Sequence, residues 1–178
     1  MATIYNEFGS YPFTSGETGT GGSWTNISSI KAAAGYAYVT LSGGTPTSKY
    51  LYGKWRKSTL GDLIPVDAIP YGVTTRLSAM YAGIYGPPVS CYMKIDGGTS
   101  YAITLTSAQA TYEKAYSTYF MQGLTDAEWW ELANGTRSMR MIATDTVLNV
   151  IRCYWMSVRL YYTLPEDSGI ILCAGSIT

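Results

Sequence analysis

The chain of 178 residues contains no histidine, and that absence removes more chemistry than any other feature of its composition. A Ser–His–Asp or Cys–His arrangement cannot be built, the commonest zinc ligand is missing, and so is the default general base near neutral pH. Charge is scarce as well. Asp, Glu, Lys and Arg make up 13% of the residues, roughly half the usual share. Twelve basic side chains balance twelve acidic ones, with no local basic cluster, so the electrostatic footprint of nucleic-acid binding is lacking. No run approaches the roughly 18 apolar residues of a membrane-spanning helix. The opening residues lack the charged head and apolar stretch of a secretion signal, so neither a membrane span nor export is expected.

Cysteine is sparse and odd in number. Cys91, Cys153 and Cys173 lie far apart, which argues against a disulfide framework and for reduced thiols in a protein made in cytoplasm. Cys91 and Cys153 both sit inside strand patterns, where a small apolar residue is at home. No phosphate-binding loop occurs: Gly19-Thr20-Gly21-Gly22 has neither the lysine nor the strand-to-helix setting. No Asp-x-Asp-x-Asp run offers converging oxygens to calcium. No cofactor and no metal are therefore expected. Glycoside hydrolysis needs only two carboxylates, but most of those present fall at turns, caps or chain ends, where solvated structural roles are the rule.

Apolar residues make up 47% of the chain, and tyrosine, with 17 copies, is the one residue in clear excess. Much of this material alternates with period two, the signature of half-buried strands. Residues 89–95 place Val89, Cys91, Met93 and Ile95 on one face and Ser90, Tyr92 and Lys94 on the other. Asp96-Gly97-Gly98 follows, and Tyr101, Ile103 and Leu105 repeat the alternation, which predicts a hairpin with a tight turn of positive φ at both central positions. Residues 73–81 set Val73, Thr75, Leu77, Ala79 and Tyr81 on one side. Residues 36–41 and 50–56 are shorter candidates, and Met139, Met141 and Ala143 mark another strand. The longest run, residues 150–162, aligns Tyr154, Met156, Val158, Leu160 and Tyr162 against Ser157, Arg159 and Tyr161, and a strand of that length is expected to bend or bulge.

One helix stands out. Thr125-Asp126-Ala127-Glu128 is a capping box, Trp129, Trp130 and Leu132 supply an apolar side, and Asn134-Gly135 ends it. The pattern as a whole predicts an all-β fold, an antiparallel two-sheet sandwich of jelly-roll-like type with one short helix near 125–133. About half of the tyrosines are assigned to the core. The sandwich is expected over residues 24–162. Residues 1–23, with Tyr5, Phe8, Tyr11 and Phe13 followed by a Gly/Thr/Ser-rich stretch, read as an extended arm, either a flexible leader or, as the aromatics favour, a segment that docks elsewhere. Residues 163–178 form a tail. Its apolar run around Ile170, Ile171 and Leu172 would be a sticky edge if left alone, so it is expected to add a strand locally or to a partner.

The order of these elements resembles a diffuse set of bacteriophage virion proteins of β-sandwich type. The likeness is carried by Trp24-Thr25-Asn26-Ile27, by Tyr50-Leu51-Tyr52, and by the Ile-Pro segment at 63–73 leading into a strand. The hairpin at 89–105, the Trp129-Trp130 pair and the last strand, 155–162, continue it, so that residues 24–162 are covered. The chain departs from the pattern in carrying Ile64-Pro65 as well as Ile69-Pro70, and Met156-Ser157 where an acidic residue is usual. The resemblance implies a capsid decoration, head-fibre, tail or baseplate protein, and it supplies no catalytic residue.

Three readings follow. The leading one is a non-enzymatic virion component, made in the bacterial host cytoplasm, that contacts other virion proteins or copies of itself through Tyr5, Phe8, Tyr11, Phe13, Ile170, Ile171 and Leu172. Weak charge protection suits a chain packed against neighbours. The rival is a carbohydrate-binding module, or a receptor-binding domain on a virion fibre, that stacks exposed Tyr and Trp on a host-surface glycan. The last is a hydrolase. Aromatics lined up on one sheet favour glycan binding, aromatics gathered under arms favour assembly, and two carboxylates converging in a cleft favour an enzyme.

Overall fold

The computed structural model describes residues 4–9, 13–17, 24–31, 35–41, 47–53, 64–84, 86, 88, 90–114, 121–145 and 148–165. Among them the chain forms ten strands and two short helices. The strands are β1 (Ile4–Gly9), β2 (Phe13–Glu17), β3 (Ala37–Leu41), β4 (Thr47–Gly53), β5 (Ile69–Tyr81), β6 (Ser90–Ile95), β7 (Ser100–Ala102), β8 (Ala110–Lys114), β9 (Met139–Asp145) and β10 (Asn149–Thr163). The helices are α1 (Ile27–Lys31) and α2 (Asp126–Ala133). All ladders are antiparallel, in two five-stranded sheets. The front sheet runs β1-β10-β5-β8, with β3 also on β10, and the back sheet runs β2-β4-β9-β6-β7. Successive strands alternate between the sheets except at the β6–β7 hairpin, which is the wrapping expected of a jelly-roll-like sandwich.

The 15-residue β10 is the spine of the front sheet. One side pairs along its length with β5, while the other is shared by two partners: β3 covers residues 149–153 and β1 covers 157–162. Where β3 stops, the N–H and C=O groups of the rest of β10 would face an open edge, and β1 closes it. Residues 4–9 are thus a sandwich strand rather than part of an arm, and residues 13–17 likewise extend the back sheet beside β4.

The long β10 carries an irregularity. The register with β5 shifts between Cys153 and Trp155, leaving Tyr154 as an extra residue. Before this bulge the buried positions are Ile151 and Cys153; after it they are Met156, Val158, Leu160 and Tyr162. Tyr154, expected to share the face of Met156, is instead the bulged residue and stays half-buried on the outside. A second shift sets Tyr161 opposite Gly72 and Tyr162 opposite Pro70, so that Tyr71 is the extra residue on β5. Pro70, which has no N–H to give a ladder, lies next to this break.

Between the sheets lies one core. Leu77 and Val158 of the front sheet, and Met93, Ile95, Met139 and Met141 of the back sheet, are completely enclosed, each removal from water contributing roughly 1.5–3 kcal/mol before ordering costs. Tyrosine behaves differently from expectation. Among the described tyrosine side chains only Tyr101 and Tyr162 are buried, and the rest straddle the surface, because a phenol hydroxyl sealed in the core must find a partner.

Local signals landed where the chemistry was complete. Thr125 caps α2: its Oγ1 accepts from the Glu128 N–H at 3.3 Å, and Glu128 Oε2 accepts from the Thr125 N–H at 2.9 Å. Trp129 is fully buried, and its indole N–H donates to Gly72 O at 2.9 Å, which anchors the helix to the front sheet. The β6–β7 hairpin forms at Asp96-Gly97, but only Gly97 has positive φ, and Gly98 N–H bonds to Ile95 O at 2.9 Å. The connection is one residue looser than a two-residue turn allows, since pairing resumes at Lys94 with Ser100. Two short elements were not anticipated: α1, of five residues, and β8, which pairs with β5.

Two outcomes are expected here. Thr125→Ala removes half of the capping box and should lower the urea midpoint by the equivalent of about 1 kcal/mol with an unchanged denaturant slope. Burial pushes the Cys91 and Cys153 thiols up, so almost no thiolate is present. In a Cys173→Ser protein, neither should react with a thiol reagent at mildly alkaline pH until the chain is unfolded; rapid modification of the native protein would contradict that packing.

Candidate ligand-binding face

The outward side of the front sheet is built from the positions that alternate with the core. On β5 these are Thr74, Arg76, Ser78 and Met80; on β10, Arg152, Trp155, Ser157 and Arg159. The ladder fixes their neighbours. Met80 is opposite Arg152, Ser78 opposite Trp155, Arg76 opposite Ser157, and Thr74 opposite Arg159. β3 adds Tyr38 beside Arg152, and β8 adds Thr111 and Glu113 beside Ser78 and Arg76.

Large and small residues are not scattered evenly. Thr74, Ser78 and Ser157 are 0%, 1% and 5% exposed although they face away from the core. These short hydroxyl side chains form a recessed floor among longer neighbours. Ser78 Oγ accepts from Gln109 Nε2 at 2.9 Å, while Thr74 Oγ1 has no hydrogen-bond partner among the described residues.

At one end of the floor stands an aromatic group. Tyr36, just ahead of β3, meets Tyr38 with ring centroids 6.3 Å apart and Tyr154 at 5.5 Å. The β10 bulge produces the last of these contacts, because both residues of such a bulge can lie on one side of the sheet. Tyr154 Oη approaches Met80 Sδ at 3.1 Å. The Arg152 guanidinium lies 4.5 Å from the centre of the Tyr36 ring, and that of Arg76 lies 5.4 Å from the Trp155 ring, both within cation–π reach. Towards the other end, Glu113 receives Arg76 at 3.0 Å and Arg159 at 3.6 Å. These pairs are partly exposed and worth at most about 1 kcal/mol each; they orient the long side chains more than they hold the fold.

On the outward face of the back sheet the described side chains include Ser90, Tyr92 and Lys94 on β6, Ser100 and Ala102 on β7, and Arg140, Ile142 and Thr144 on β9, and the ladder sets Tyr50 and Tyr52 of β4 opposite Ile142 and Arg140. Arg140 is drawn to Asp96, which also accepts from Ser138. Arg137 ties Glu128, at 3.1 Å, to Glu131 and to the Asp96 carbonyl. The Thr125 backbone N–H, then its hydroxyl, hold Glu128 below the usual carboxylate range, with help from Arg137. The described carboxylates of this region are thus engaged with arginines and caps rather than facing one another across a groove. No cluster of three or more potential metal ligands occurs among the described residues.

Of the residues proposed from sequence as assembly contacts, Tyr5, Phe8 and Phe13 are on described strands, and these belong to different sheets. Tyr5 and Phe8 stand on β1 opposite Tyr161 and Val158 of the front sheet, whereas Phe13 stands on β2 opposite Gly53 of the back sheet. Tyr11, Ile170, Ile171 and Leu172 lie outside the described residues. Sequence reasoning missed Tyr36, Tyr38, Arg76, Arg152 and Trp155 as a group. Alternation marks each as outward, but nothing local says that their strands are neighbours.

No protein-family model matches the chain, and no curated protein does. Among solved structures it is similar to the N-terminal cellulose-binding domain of β-1,4-glucanase C from Cellulomonas fimi, at 14% identity over 90% of each chain with a TM-score of 0.39. It is also similar to the family 11 carbohydrate-binding module of Clostridium thermocellum in complex with a β-1,3-1,4-mixed-linked tetrasaccharide, at 11% identity over 91% of each chain with a TM-score of 0.41. Likenesses this faint carry no weight for function.

The unpartnered Thr74 hydroxyl gives a direct test of the recessed floor. Thr74→Val keeps the shape and removes a buried group that makes no bond, so stability should rise by about 1 kcal/mol in chemical denaturation. A loss of that size would mean that the hydroxyl is bonded in solution.

Proposed function

We propose that the protein is a non-catalytic β-sandwich module that binds a glycan across the outward face of its front sheet. The observation that supports this is the assembly of Tyr36, Tyr38, Tyr154 and Trp155 on one side of one sheet, beside a floor of threonine and serine. Sugar rings present apolar C–H faces and a rim of hydroxyls. Half-buried aromatic rings offer flat apolar surface at low entropic cost, and the flanking arginines supply donors in fixed directions.

The resemblance to virion proteins suggests the setting, a receptor-binding domain on a phage fibre where such a face would meet the host surface. Capsid decoration or a tail or baseplate role rests on that resemblance alone. No pair of facing carboxylates among the described residues favours hydrolysis over binding.

The test is retention on polysaccharides. Wild-type protein is expected to be slowed in affinity electrophoresis by at least one member of a panel of soluble plant, bacterial and algal polysaccharides. Trp155→Ala and Tyr154→Ala should weaken that binding about tenfold or more, as loss of a central aromatic anchor does. Val66→Ser, at a turn where the side chain is 97% exposed, should leave it intact. Retention unaffected by either aromatic substitution would place the site elsewhere, and no retention by any polymer would end the glycan reading.

A further inference from the structure

Of the three arginines on the outward face of the front sheet, two are ion-paired within the protein: Arg76 and Arg159 share Glu113. Arg152 differs from both. Among the described residues it has no ion pair; its recorded company is the face of Tyr36, and its buried Nε–H has no hydrogen-bond acceptor. Tyr38 is its cross-strand neighbour on one side and Met80 on the other, and Tyr154 closes the group through Tyr36 and Met80.

A guanidinium that is always charged, with donors in a planar fork, is here held in a frame of rings and given no anion. Ring faces stabilise the cation without using its in-plane N–H groups. The Nε–H is buried, which leaves the terminal Nη N–H groups for an acceptor arriving from outside, and a carboxylate can take two parallel N–H bonds from them at once.

We infer that the glycan recognised by this face carries a carboxylate, as in a uronic or sialic acid residue, and that Arg152 pairs with it while Tyr36, Tyr38 and Tyr154 pack against the same sugar. This rests on the glycan-binding reading and adds the charge of the ligand to it. Arg152 is the specificity-determining residue, and Trp155, one step along β10, serves the rest of the chain of sugars.

The experiment is an array of matched oligosaccharides in neutral, carboxylate-bearing and sulfated forms, probed with the full chain and followed by titration calorimetry on the members bound. Carboxylate-bearing members should bind about ten- to a hundredfold more tightly than their neutral counterparts, the range of a charge-assisted hydrogen-bonded contact. Raising the salt concentration should narrow that gap. Arg152→Gln should abolish the preference while keeping the weaker neutral binding, and Arg152→Lys, which keeps charge but not the fork, should restore only part of it. Thermal unfolding of both variants separates a binding loss from a folding loss, and the salt series on wild-type protein needs no variant. Equal binding of neutral and carboxylate-bearing members would overturn this inference and leave the glycan reading standing. Preference for sulfated members would overturn the carboxylate assignment, and an array without any bound member would overturn both.

Discussion

The fold depends on β10 holding three partners at once. Its 15 residues are long enough to pair with β5 on one side and with β3 and then β1 on the other. Its two-residue alternation is interrupted by an extra residue at Tyr154. That residue changes the parity of the buried positions from Cys153 to Met156, so that both halves of the strand face the core. A one-residue slip without the bulge would turn one half inside out.

The same irregularity shapes the surface. Because Tyr154 and Trp155 follow one another at the bulge, two aromatic side chains stand together where a regular strand would have sent one inward. β3 brings Tyr38, and Tyr36 just before it, against this point, and the long side chains of Arg76, Arg152 and Arg159 rise around the buried hydroxyls of Thr74, Ser78 and Ser157. The parity of the spine's core face and the pairing of Tyr154 with Trp155 thus follow from a single inserted residue. The arginine network around Asp96, Glu128 and Glu131 does a separate job at the other side, fastening α2 to the β6–β7 turn and the start of β9.

The assembly reading rests on aromatics near the N-terminus, of which Tyr5, Phe8 and Phe13 stand on strands of the two sheets. A stretch with few apolar neighbours of its own looks like an arm when judged by composition. In the structure, β1 and β2 take part in ladders with strands far along the chain, which composition does not reveal. Tyrosine misled in the opposite direction. Counted as strand formers, many belong to the core, yet the hydroxyl keeps most of the described ones at the boundary between core and water.

What the sequence determined by itself was local: the alternation of β5, β6, β9 and β10, the Asp96-Gly97 turn, the capping box at Thr125, and, through the missing histidine, the exclusion of whole classes of catalysis. Each of these is written in residues a few positions apart, where propensity and hydrogen-bond geometry decide the outcome. Only the tertiary structure decided that Tyr38 lies beside Arg152, that Trp155 lies beside Ser78, and that a bulge turns Tyr154 outward. Those neighbours are set by the register between distant strands, and register is fixed by packing of the whole core rather than by any short stretch of chain.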